Sequence, residues 1–188
     1  MAHDSTDPTR HWDSASIHAR VEAMAQADPA RRRFGSDCHG YRLRPPLAEE
    51  TIRSFERQHG VRLPGSYRAF LKEVADGGAG PDHGVLGLDE QVDEEDALHQ
   101  LREEDRHAGF LAAPFPHTDA WPGPGREGSA KYSVQGSLVL GEQRCGTFSR
   151  LVVTGRNAGQ VWTDDPVWGG LTPGPDFRAW YTAWLAVG

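Results

Sequence analysis

The sequence is poor in lysine and cysteine, and it contains no long apolar run. Of its 20 basic residues only Lys72 and Lys131 are lysines, so arginine carries nearly all the positive charge. The two cysteines, Cys38 and Cys145, lie far apart without metal-like spacing, which favours unpaired thiols in a reducing compartment over a disulfide. No stretch approaches the ~18 consecutive apolar residues of a membrane-spanning helix, and the N-terminus shows no secretory pattern. We therefore expect a cytoplasmic protein without membrane contact.

The charge balance bears on the kind of partner. A formal net charge of −7 over 188 residues argues against binding to a phosphate backbone and mildly favours a basic partner. The triple arginine at 31–33 follows a predicted helix. We interpret it as a solvated surface or as a complement to the helix C-terminus, the alternative being a nucleic-acid patch.

No residue pattern carries a catalytic signature. The glycines at 123–128 resemble a dinucleotide fingerprint, but no strand leads into them and no helix follows. His99, Glu103 and His107 fall at i, i+4 and i+8 on one helix face, but that span is ~12 Å, too long for both imidazoles to reach one ion easily. We therefore predict neither enzyme activity nor a metal or other cofactor.

The N-terminal part is interpreted as an extension of the main domain. Residues 1–12 are polar and aperiodic, which favours an unstructured leader. Apolar residues recur at helical spacing over 14–27, and Asp28 with Pro29 ends that helix. We assign 1–38 to an extension with one helix and 39–188 to the main domain.

Two consecutive helices form the predicted centre of the fold. The first covers 47–60, and Gly60 ends it. The second starts at Pro64, where a missing N–H costs nothing, and Gly77 with Gly78 ends it. Short strands are expected on either side, at 41–44 and 85–88.

The last third of the chain is predicted to be a sheet followed by a helix. Runs at 137–141, 147–154 and 160–162 alternate with turn compositions and indicate an antiparallel meander. A final apolar stripe starts at Phe177 with helical spacing. The fold class is thus α+β, a single domain with an antiparallel sheet of about 4–6 strands packed against several helices. We assign to the core Phe55, Leu63, Pro64, Tyr67, Phe70, Leu71, Val74, Leu151, Trp162, Phe177, Trp180, Tyr181 and Trp184.

The most polarised segment is 89–105, which holds nine of the 27 acidic residues. A thin apolar stripe predicts a surface helix there with a strongly negative outer face, which is either a solvated surface or a binding site for a basic partner. Trp121, in the Pro- and Gly-rich connection 110–129, is either a lid over the core or a partner anchor. The candidate partner-binding residues are Asp89, Glu90, Asp93, Glu94, Glu95, Asp96 and Trp121.

Several motifs in a fixed order resemble the SUKH superfamily, the Smi/Knr type of domain. They are the run 41–47, Phe55-Glu56, Leu63-Pro64 with Tyr67-Arg68 and Phe70-Leu71, the exit Gly77-Gly78-x-Gly80-Pro81, the strand motifs 146–155 and 159–162, and the closing stripe 177–185. The similarity extends over residues 39–188, about four fifths of the chain.

The resemblance implies an α+β domain that serves as a binding module. Such domains are commonly immunity proteins that neutralise a bacterial toxin, and in fungi they regulate the cell wall and signalling. The family has no shared catalytic residues to carry over. The expected partner is a basic toxin domain such as a nuclease or deaminase, bound without nucleic acid by a monomer or weak dimer. The alternatives are a regulatory or scaffold module with a non-toxin partner, and a small-ligand-binding protein.

Overall fold

The computed structural model describes residues 11–88, 90–93, 96–123, 132–167 and 169–187. These residues form six helices and one four-stranded antiparallel sheet, which confirms the predicted α+β class. The helices are α1 (Ser14–Ala27), α2 (Ser36–His39), α3 (Glu49–His59), α4 (Gly65–Glu73), α5 (Ala97–Asp105) and α6 (Phe177–Val187). The strands are β1 (Ser137–Arg144), β2 (Thr147–Val152), β3 (Val161–Asp165) and β4 (Gly170–Thr172).

The sheet is a meander in the order β1-β2-β3-β4. Its register places Leu138 opposite Leu151 and Phe148 opposite Asp164. Strand β4 was not predicted, because Gly169 and Gly170 have the composition of a loop. The outer edge of β1 is covered by the chain around Leu86, whose N–H donates to the carbonyl of Leu140 at 2.6 Å.

The two short strands predicted at 41–44 and 85–88 do not form, and this prediction is wrong. Leu43 and Val85 each make only an isolated bridge to Gly78. Gly78 has φ +96°, and a Cβ on it would lie 2.3 Å from the carbonyl oxygen of Arg42. The chain therefore passes too closely at this point for any residue but glycine.

The central helices have the expected start and one unexpected end. Gly60 caps α3 in the left-handed conformation, and Pro64 precedes α4. Helix α4, however, ends at Glu73, before the glycine pair at 77–78. Arg68 of α4 connects the two helices, because its guanidinium pairs with two carboxylates of α3. The distances are 2.6 Å to Glu49 Oε1 and 3.0 Å to Glu56 Oε1.

Trp12 belongs to the core, so the expected leader is wrong at this residue; residues 1–10 lie outside the described part. The indole is 7% exposed, and its Nε1 donates to the carbonyl of Ser66 at 2.8 Å. Its ring meets Phe70, Phe177 and Tyr181 edge-on. Helix α1 then packs against α6. The division of the chain at residue 38 remains a prediction.

The residues assigned to the core lie at different depths. Trp180 and Trp184 are half-buried at its edge, and Pro64 is also half-buried. The others are buried: Phe55, Leu63, Tyr67, Phe70, Leu71, Val74, Leu151, Trp162, Phe177 and Tyr181.

A single carboxylate organises the chain after α1. Asp28 accepts hydrogen bonds from four groups, which are the N–H of Arg32, the N–H of Arg33, the Ser36 hydroxyl and the Tyr41 hydroxyl. The distances are 2.8 to 3.1 Å. The loop 29–35 is therefore held in one conformation from inside.

We expect Asp28→Asn to lower the melting temperature at pH 7. The N–H of Arg32, more than any other group, holds the pKa of Asp28 at about 2. A lowered folded-state pKa gives stability that is present above the unfolded pKa of about 4 and is lost as pH falls through 2. The difference between wild type and variant, measured by circular dichroism, should shrink from pH 7 to pH 2. An unchanged difference would show that charge is not involved.

Candidate partner-binding surface

Helix α5 forms in the acidic segment, as predicted. Asp96 caps its N-terminus by accepting the N–H of Leu98 at 2.8 Å, which satisfies one of the donors that a helix start leaves free. The helix lies against β1. Its position decides which of the acidic side chains reach the surface.

Arg102 and Arg106, the residue that follows the segment, hold α5 in place. Arg102 and Arg106 each donate through Nη2 to the carbonyl of Leu88, at 2.6 and 2.7 Å. The guanidinium of Arg106 also lies 4.8 Å from the ring centroid of Phe55 on α3. Arg102 is 9% exposed and Arg106 is half-buried, so both cations act largely within the fold.

The C-terminal end of α5 is tied to the sheet by buried charges. Asp105 accepts the N–H of Val139 at 2.6 Å and the Nη1 of Arg150 at 2.9 Å. Arg150 also donates to Asp164 at 2.7 Å, and Asp164 accepts the hydroxyl of Tyr132. We call Asp105, Arg150, Asp164 and Tyr132 the buried charge network.

The pKa values within the network follow from burial and pairing. Burial raises the pKa of Asp105, although Arg150 opposes this. For Arg150, burial would lower the pKa, but the carboxylates of Asp105 and Asp164 raise it above its ordinary value. The guanidinium therefore stays charged, and it fixes the end of α5 to β2 and β3.

Ala97, Gln100, Glu103 and Glu104 are exposed, and we call these four positions the outer face of α5. Glu103 and Glu104 form no ion pair within the described part of the chain. Both lie in the last turn, where the helix dipole already places negative potential. This arrangement is unfavourable for the helix alone, and it leaves two carboxylates available to an external cation.

The predicted acidic residues divide between structural and surface positions. Glu90 accepts the N–H of Gly87 at 2.8 Å and pairs with Arg44 at 3.6 Å, while Asp96 caps α5. Asp93 is exposed. Three further candidates lie outside the described residues: Asp89, Glu94 and Glu95.

Trp121 lies in the lid over the core and not at the surface. It is 6% exposed, and its N–H and carbonyl both pair with Leu171 of β4 at 2.8 Å. Its ring centroid is 5.4 Å from that of Tyr132. A residue so enclosed does not fit the role of partner anchor, and we leave it out of the proposed surface.

The structure does not gather the three residues considered for a metal. His99 and Glu103 line a depression of about 140 Å³, whereas His107 lines, with Glu104 and Tyr132, a cavity of about 700 Å³. Over the described ranges, no group of three His, Cys, Asp or Glu side chains is arranged to hold a metal ion.

Two further sequence-based expectations concern the cysteines and the membrane. Cys38 and Cys145 are both exposed, free thiols.

None of the helices in the described ranges has the length and apolarity that crossing a membrane requires.

Comparison with protein-family models places the chain in a known family. The sequence model of the SMI1 / KNR4 family (SUKH-1) matches residues 46–165, which include α3, α4, α5 and the first three strands. Neither the comparison with curated proteins nor that with solved structures found a match. The matched range contains both the outer face of α5 and the buried charge network.

Proposed function

The chain belongs to the SMI1 / KNR4 family (SUKH-1), and from this premise we propose that it is a non-catalytic protein-binding module, an immunity protein that neutralises a bacterial toxin. Domains of this family are often immunity proteins. In this proposal the protein occludes the active cleft of its toxin stoichiometrically and turns nothing over. The expected toxin is a basic domain such as a nuclease or deaminase, because an enzyme that acts on nucleic acid needs a cationic cleft.

The observation that carries the proposal is the outer face of α5. Its carboxylates, Glu103 and Glu104, are exposed on a helix whose inner side is held by Arg102 and Asp105. A rigid acidic surface meets a cationic cleft without a large loss of conformational freedom. Charge complementarity also speeds association and selects against acidic partners.

The buried charges support a structural role over a catalytic one. Asp105, Arg150 and Asp164 are each fully buried, and both carboxylates pair with Arg150. A catalytic acid or base has to reach a substrate. These groups hold α5 against the sheet, which is what a rigid binding surface requires.

Charge reversal on the outer face is expected to abolish partner binding. The tagged protein would be used to capture its partner from a lysate of the source organism, with elution by rising salt and identification by mass spectrometry. The Glu103→Lys, Glu104→Lys double variant should weaken binding to that partner by more than about 100-fold, because close charge pairs across an interface couple by roughly 1.5–7 kcal/mol. Calorimetry at two salt concentrations measures the change.

The matched control is Glu22→Lys with Asp119→Lys, which alters net charge equally at two exposed positions on other parts of the chain. It should bind as the wild type does. An equal loss of binding affinity in both double variants would show that net charge alone causes the effect, and it would contradict the proposed surface. Co-expression decides the class of partner: a captured protein that arrests growth unless this chain is present is a toxin, and a harmless one indicates the regulatory or scaffold module.

A further inference from the structure

A second surface lies where α1, the loop 29–35 and the end of α6 meet. Three large hydrophobic side chains are exposed within the described ranges: Phe34, Val167 and Val187. Phe34 is 55% exposed and Val187 is 85% exposed. Phe34 and Val187 line the same groove of about 470 Å³, together with Met24 and Trp184. Apolar side chains gathered in an open groove mark a binding site more often than isolated ones do.

The loop that carries Phe34 is rigid. Asp28 accepts the N–H groups of Arg32 and Arg33 within the loop and the hydroxyl of Ser36 directly after it, and Ser36 is buried. Arg31 has φ +49°, a left-handed conformation that non-glycine residues seldom adopt and that is often found at functional sites. The groove is therefore preformed, which reduces the entropy lost on binding.

The rim of the groove is positively charged. Residues 31–33 are three exposed arginines, and Arg33 lines the groove itself. One carboxylate, the half-buried Asp82, also lines the groove. Asp37 is exposed beside it, and Asp28 is buried and engaged with the loop. The charge that reaches solvent is thus mainly cationic, in contrast to the net charge of −7 of the whole chain.

Two other occupants fit less well. A nucleic acid would stack bases on an open aromatic face, but the guanidinium of Arg144 lies 5.1 Å above the Phe34 ring, and the ring of His83 is 5.0 Å from it. A second copy of this chain would bring two sets of three arginines together. An acidic peptide segment brings no cations, and its apolar side chain packs in the groove beside Phe34 without stacking on the ring face that Arg144 covers.

We propose that this groove binds a partner segment in which a large apolar side chain is flanked by carboxylates. The apolar side chain packs between Phe34, Trp184 and Val187, and a carboxylate pairs with Arg33, which lines the groove. The site is separate from the outer face of α5, and it does not depend on the toxin proposal.

The test is selection from a phage-displayed library of short random peptides against the full chain. We expect the enriched peptides to share an aromatic or large aliphatic residue next to Asp or Glu. Fluorescence anisotropy of the labelled peptides should show about tenfold or greater loss of affinity for Phe34→Ala and for Arg33→Glu. Both side chains are exposed, so the melting temperature should remain that of the wild type.

The matched controls are Val167→Ala and Arg156→Glu, an exposed apolar and an exposed cationic residue outside the groove. Peptides that bind these controls and the Phe34→Ala variant equally would overturn the proposal, as would selection that enriches no peptide. Binding of a labelled single-stranded oligonucleotide that is lost in Arg33→Glu would overturn it in favour of nucleic acid. Sedimentation that shows a dimer abolished by Phe34→Ala would do so in favour of a second copy.

Discussion

Replacing Arg150 with methionine is expected to destabilise the protein by about 3–5 kcal/mol, because it leaves buried carboxylates without their cation. Arg150 is fully buried and donates to Asp105 and Asp164. Methionine is apolar and unbranched but shorter than arginine, and it supplies no charge and no donor. Urea denaturation at pH 7 measures the loss of unfolding free energy.

The loss should depend on pH. Burial already raises the pKa of Asp105, and Arg150 opposes this. Without Arg150, the folded-state pKa of Asp105 therefore lies still further above the unfolded value of about 4. A raised folded pKa favours the folded state at low pH and disfavours it as pH rises. The deficit of the variant relative to wild type should therefore shrink between pH 7 and pH 4.

The control is Arg156→Met, at an exposed position, which should change stability by no more than about 0.5 kcal/mol. A loss below about 1 kcal/mol in Arg150→Met would mean that the network is not maintained in solution, because a broken buried pair costs several times more.

Replacing Phe177 with alanine is expected to cost about 3–5 kcal/mol, the usual range for a large aromatic in a core. Phe177 is fully buried and contacts the rings of Tyr67 and Phe70 on α4. Its loss leaves a cavity between α4 and α6, which the rigid neighbours fill only in part. Thermal and urea unfolding both report the change.

Trp180→Ala is the control for Phe177→Ala, because it removes an aromatic side chain from the same helix at a less buried position. The sequence pattern places Trp180 and Phe177 on the same stripe of α6, but Trp180 is only half-buried. The smaller area removed from water predicts a cost of about 1–2 kcal/mol. Equal losses of unfolding free energy for the two variants would indicate that α6 is rotated about its axis relative to its position in the structure.

Local signals were sufficient for most helices. The ends of α1 and α3 agree with prediction because Asp28 and Gly60 stop them by local geometry. The fold class followed from the same patterns. The end of α4 was not predicted correctly. The helix ends before Val74, a residue that does not by itself stop a helix, because the chain turns there to pack into the core.

The interior of the candidate site was not predicted, for a physical reason. Charged residues in an acidic segment are expected at the surface, and whether Asp105 is buried depends on Arg150, which is 45 positions away. A signal was present in the sequence: Arg150 stands inside an apolar strand run, and such a cation requires a buried anion. The burial of Trp12 likewise depends on distant rings, on α4 and α6.

The separation of roles on α5 has a consequence for how the gene can change. The helix is anchored by Arg102 and Asp105, while the four positions of its outer face take no part in that anchoring. Substitutions at exposed positions of this kind change stability by only about 0.5 kcal/mol. These four side chains can therefore differ between related proteins while the buried charges that hold the helix in place stay the same.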